Sequence, residues 1–77
     1  LARRIVLRLS PDIKSDDIRA IKDAVAYSRG TCQICFEINT EKALVSIDAG
    51  KEYMVMPSID ILTRLKEIVS PSRVELQ

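Results

Sequence analysis

The feature that most constrains this chain is the order of its hydrophobic periodicities. Arg3 to Leu9 alternates, with Ile5, Leu7 and Leu9 on one side and Val6 and Arg8 on the other. Cys32 to Asn39 alternates again, with Cys32, Ile34, Phe36 and Ile38 inward and Gln33, Cys35 and Glu37 outward. Ala43, Val45 and Ile47 repeat the pattern, with Leu44, Ser46 and Asp48 facing away. Period two and β-branched content predict strands with one buried face. Between them, Ile18, Ile21, Ala24 and Val25 recur at helical spacing, as do Ile59, Leu62, Leu65 and Val69, flanked by Ile61 and Ile68.

Punctuation sharpens these elements. Ser10-Pro11-Asp12 breaks the first strand, and Ser15 is placed to cap a helix whose first turn carries Asp16 and Asp17. Gly30 is expected to end that helix at C′. Asn39-Thr40-Glu41-Lys42 has hairpin length. Tyr53 to Met56 reads as a short extra strand stopped by Pro57, and Ser58 as the cap of the second helix. Pro71 ends that helix, and Arg73 to Leu76 closes the chain as a strand with Val74 and Leu76 inward. The predicted fold is therefore α+β: a ferredoxin-like split βαβ with an extra short strand, two helices covering one face of a mostly antiparallel sheet. At 77 residues the chain reads as one domain with no internal boundary, and its start at Leu1 reads as that of a segment excised from a longer protein.

Composition limits the function classes. Apolar residues are 47% of the chain and charged residues 30%, a globular balance. The net charge of +1 removes a pervasive basic excess as an argument for nucleic-acid binding. Arg3, Arg4 and Arg8 could touch a phosphate backbone. However, the predicted open sheet face (Val6, Arg8, Gln33, Cys35, Glu37, Leu44, Ser46, Arg73 and Glu75) carries no aromatic ring for base stacking. Direct nucleic-acid binding is thus disfavoured. The longest apolar stretch is only a few residues, too short for a membrane span.

Catalytic chemistry is also disfavoured. Cys32 and Cys35 have C-x-x-C spacing, but residues three apart on a strand point to opposite faces, and no histidine or further cysteine completes a zinc site. Two free thiols fit a reducing, cytoplasmic setting. Asp16 and Asp17 suit a helix N-terminus, while Asp48 and Asp60 stand alone. Without histidine the serines lack an ordinary general base. Gly30 and Gly50 are the only glycines, so there is no phosphate-binding loop. No catalytic residue, cofactor-binding residue or metal ligand is expected.

The run Tyr53-Met54-Val55-Met56 carries the candidate binding site. Consecutive large apolar residues cannot all face one core, and methionine suits adaptable protein contacts. Tyr53, Met54, Val55 and Met56 are the predicted partner-binding residues. The bland reading is a short strand covered on both sides.

In linear order the chain resembles the extreme C-terminal domain of the alpha subunit of bacterial DNA polymerase III. The resemblance runs through Ile5-Val6-Leu7-Arg8-Leu9, the strand Cys35-Phe36-Glu37-Ile38, and above all Tyr53-Met54-Val55-Met56-Pro57-Ser58. Ile61 to Ile68 and the closing Val74-Glu75-Leu76 complete it. Gly30-Thr31 stands where the family often shows Gly-Asp or Gly-Asn. The resemblance implies a role in DNA replication as part of a magnesium-dependent DNA-directed DNA polymerase, a nucleotidyltransferase whose catalytic aspartates, clamp-binding motif and OB-fold lie upstream. It further implies that these residues bind the tau subunit of the clamp loader. The alternative is an ACT-like small-molecule regulatory domain, although the Ser10–Asp17 connection lacks the glycine such domains usually place there.

Overall fold

The computed structural model describes residues 4–77. In chain order the elements are β1 (Arg4–Leu9), α1 (Ser15–Ala26), β2 (Arg29–Asn39), β3 (Leu44–Asp48), α2 (Ile59–Val69) and β4 (Val74–Leu76), with 3-10 turns over Lys51–Tyr53 and Pro71–Arg73. The four strands form one sheet in the order β3-β2-β1-β4. β1 runs parallel to β2, while β1–β4 and β2–β3 are antiparallel. This is the expected α+β architecture, a mostly antiparallel sheet with both helices on one face.

One detail differs from a split βαβ unit, in which a strand would separate β1 from β2. Here β1 and β2 are direct neighbours, with Val6 opposite Cys35 and Leu7 opposite Phe36, and β3 takes the outer edge. Apolar content accounts for the difference. β2 offers Cys32, Ile34, Phe36 and Ile38 to the helices, whereas β3 offers only Val45 and Ile47, so the richer strand occupies the interior.

The core lies between the Ile5–Leu7–Leu9–Ile34 face and the helices. α1 contributes Ile21, Ala24 and Val25, and α2 contributes Ile61, Leu65 and Val69. Cys32 and Val55 complete it. Registers confirm the predicted open face: Glu75 lies opposite Val6, and Ser46 opposite Glu37. Val6 is nonetheless buried there, flanked along its own strand by Arg4 and Arg8.

Local expectations are corrected at several points. Ser15 is the first helical residue of α1 and Lys14 is its cap, with no side-chain cap bond. Gly30 lies within β2, and α1 ends at Ala26 with Tyr27 as its C-cap instead. Ile18 and Val45 sit at the rim of the core, not inside it, because the helix layer stops short of β3. Ile59 faces solvent: it lies about 120° around the helix from Leu65, outside the arc set by Ile61, Leu62, Leu65, Ile68 and Val69.

Candidate interaction surface

Tyr53 to Met56 forms neither a full strand nor a single apolar face. A 3-10 turn ends at Tyr53, and the chain then passes antiparallel to the start of β2. The Gly30 N–H donates to the Met54 carbonyl (3.1 Å), and the Met56 N–H donates to the Ser28 carbonyl (2.8 Å). Only Val55 makes bridges, to Arg29 and Cys32. Alternation then separates the side chains. Val55 is fully buried, Tyr53 packs half-buried against the core, Met54 is half-buried, and Met56 is 58% exposed. Of the four predicted residues, Val55 is a core residue and Met56 is the one presented outward.

Met56 has apolar company that periodicity did not single out. Its bond to Ser28 sets it beside the end of α1, where Tyr27 is 91% exposed, and Ile59 begins α2 at 82% exposed. The α1 end and the first turns of α2 enclose a shallow cleft of about 290 Å³, lined by Ala24, Tyr27, Asp60, Ile61 and Arg64. A signal for both residues was present in the sequence. Tyr27 follows Val25 by two positions, a rotation of about 200° away from the buried face, and Ile59 falls outside the stripe of α2.

The arrangement of reactive side chains is dispersed. Among the described residues no three of His, Cys, Asp or Glu are grouped as metal ligands. Asp16 and Asp17 occupy the first turn of α1, and Asp60 that of α2. The Asp48 carboxylate accepts from the Gly50 N–H (2.8 Å). Cys32 is buried in the core, and that burial pushes its thiol pKa up. Cys35 lies on the opposite sheet face, opposite Val6, so the two sulfurs diverge as the spacing predicts. No helix among the described residues is long and apolar enough to cross a membrane.

The arginines of the open face are engaged with neighbours. Arg8 pairs with Glu75 on β4 and, at 3.4 Å, with Glu37 on β2. Arg4 Nε donates to Gln77 Oε1 (2.9 Å), and an Arg73 guanidinium nitrogen donates to the Arg8 carbonyl (3.2 Å). The hydrogen bond and charge of Arg8 hold the Glu75 carboxyl below the usual range, and the same contact raises Arg8. Arg3 lies outside the described residues. At the C-terminal end of β1, a cleft of about 250 Å³ borders the glycine-free Ser10–Lys14 connection, with Arg8, Asp12, Lys14, Asp17 and Arg73 giving it both charge signs.

No family model, curated protein or solved structure shows significant similarity to the chain.

Proposed function

We propose that the chain is a non-catalytic protein-interaction domain. On the resemblance of Tyr53–Ser58 and its flanking elements, we assign it to a bacterial replicative DNA polymerase, which it tethers to the tau subunit of the clamp loader in the cytoplasm. The observation that carries the interaction reading is the exposed apolar group Tyr27, Met56 and Ile59, one member of which lies in the segment that the resemblance singles out. Exposed aromatic and methionine side chains suit a protein partner, and Tyr27 also lines the shallow cleft between the helices. In this reading the magnesium-dependent chemistry belongs to the parent polymerase, and these residues contribute attachment.

The test is binding of the 77-residue chain to the clamp-loader tau subunit by isothermal calorimetry. Met56→Asp and Ile59→Asp are expected to weaken binding by about tenfold or more, with an unchanged circular dichroism spectrum because both positions are exposed. Raising salt is expected to change affinity little, since the contact is apolar. Absence of tau binding refutes the polymerase assignment. Unaltered binding by both variants refutes the surface. A thermal shift specific to one free amino acid would instead favour the ACT-like reading.

A further inference from the structure

The sheet has two edges of different character. β4 is three residues long, begins beside Pro71 and Arg73, and carries Glu75 at its centre. β3 is five residues, Leu44-Val45-Ser46-Ile47-Asp48, with no proline, lysine or arginine, and it is exposed along its whole length. Natural edge strands are commonly blocked by such residues or by bulges. β3 carries a single charge, Asp48 at its last position, and presents Val45 (41% exposed) and Ile47 (47%) on the helix side.

The backbone polarity of this edge follows from its pairing with β2. The Ala49 N–H donates to the Ile34 carbonyl, and the Thr40 N–H donates to the Ala43 carbonyl, each at 2.9 Å. Antiparallel hydrogen-bonded pairs alternate. Residues 43, 45, 47 and 49 therefore spend their backbone groups on β2, and those of Leu44, Ser46 and Asp48 point away from the sheet.

We propose that β3 is a self-pairing edge: two copies of the chain join β3 to β3, antiparallel, about a two-fold axis at Ser46, and form one continuous eight-stranded sheet. In this register Ser46 meets Ser46 of the second copy, and Leu44 meets Asp48. All three outward-pointing residues of each copy are then bonded, giving about six inter-strand hydrogen bonds. Val45 lies opposite Ile47 of the other copy, so the partly uncovered apolar pairs cover one another on the helix side. Because the axis is perpendicular to the sheet, both helix layers fall on the same face.

Charge favours a second copy over an arbitrary extended peptide. The same register brings the hairpin end of one β3, at Lys42, to the Asp48 end of the other. Lys42, beside the start of β3, is then diagonal to Asp48, a pair of opposite sign that occurs twice by symmetry. A slip of two residues in either direction shortens the ladder from about six hydrogen bonds to about four.

This surface is separate from Tyr27, Met56 and Ile59, so the proposal stands or falls independently of the tau reading. Sedimentation equilibrium of the 77-residue chain, from about 5 μM to about 500 μM, is expected to show a monomer–dimer equilibrium with a micromolar dissociation constant. Val45→Lys, at an exposed position, is expected to raise that constant about 100-fold by placing a charge in the paired face. Lys42→Glu and Asp48→Lys are each expected to weaken the dimer about fivefold, and the double variant to recover it. Met56→Asp is expected to leave the dimer unchanged. A chain that stays monomeric throughout overturns the proposal and leaves the edge to an extended segment of another protein. Dimers undiminished by Val45→Lys, or a double charge swap no better than its singles, also overturn it.

Discussion

A Cβ on Gly30 would stand 2.5 Å from the Met56 amide nitrogen and 2.6 Å from the Val55 carbonyl carbon and oxygen. These are backbone atoms that cannot rotate aside. The glycine is therefore required by the close passage of the Met54–Met56 segment over β2, the same passage that sets Met56 beside Tyr27. Gly50 is the opposite case: nothing lies within 4 Å, but its φ of 91° disfavours any L side chain. The two substitutions separate these causes. Gly30→Ala is expected to destabilise by about 3 kcal/mol through overpacking, and Gly50→Ala by about 1 kcal/mol through its backbone conformation. Urea unfolding followed by circular dichroism checks both; equal costs would refute the steric account of Gly30. The sequence marked Gly30 as a break but assigned it to the helix end, because the segment that crowds it arrives from more than twenty residues away.

At the scale of elements, α2 shows how its two ends are made. Its start matches expectation: the Ser58 Oγ accepts from the Ile61 N–H at 3.3 Å. Its end does not follow the usual glycine device. Ser70 holds φ 84° and ψ 146°, a region that suits glycine, while its N–H donates to the Lys66 carbonyl and Pro71 follows. Ser70→Gly is therefore expected to stabilise the domain by about 1 kcal/mol. The check is a higher urea midpoint with an unchanged slope; a lower midpoint would show that no strain is stored there. α1 starts without a side-chain cap, since Ser15 lies one position inside the helix and Lys14 occupies the cap.

For the molecule as a whole, Arg8 links three strands. From β1 it reaches Glu37 on β2 and Glu75 on β4, across the face that the helices leave open. Glu75 is held below the usual carboxylate range chiefly by its hydrogen bond with Arg8, then by the charge of Arg8, with the Gln77 amide and Arg4 assisting. A carboxyl whose folded pKa is depressed stabilises the fold above its unfolded pKa and loses that contribution as pH falls through the folded value. Wild type is thus expected to lose thermal stability as pH drops from about 4.3. Glu75→Gln is expected to be less stable at neutral pH and to converge with wild type in strong acid. Melting temperatures measured between neutral and strongly acidic pH test this, and parallel curves for the two proteins would refute it. Because these groups are exposed, added salt is expected to narrow the difference.

Elements and their inward faces were legible in the residues because periodicity is local: Ile5–Leu7–Leu9, Cys32–Ile34, Ile21–Val25 and Leu65–Val69 all face the core as their spacing predicts. The divergence of Cys32 and Cys35 and the make-up of the open face followed from the same rule. Three features were settled only by the tertiary structure. Strand order placed β1 directly beside β2, because competition for interior positions compares strands with one another. The reach of the helix layer decided that Val45 and Ile47 stay half-covered, which no strand pattern records. The candidate surface of Tyr27, Met56 and Ile59 joins residues from three segments. It depends on the Met56–Ser28 hydrogen bond, which holds the Met54–Met56 segment beside the end of α1, a long-range contact to which the period of a single element is blind.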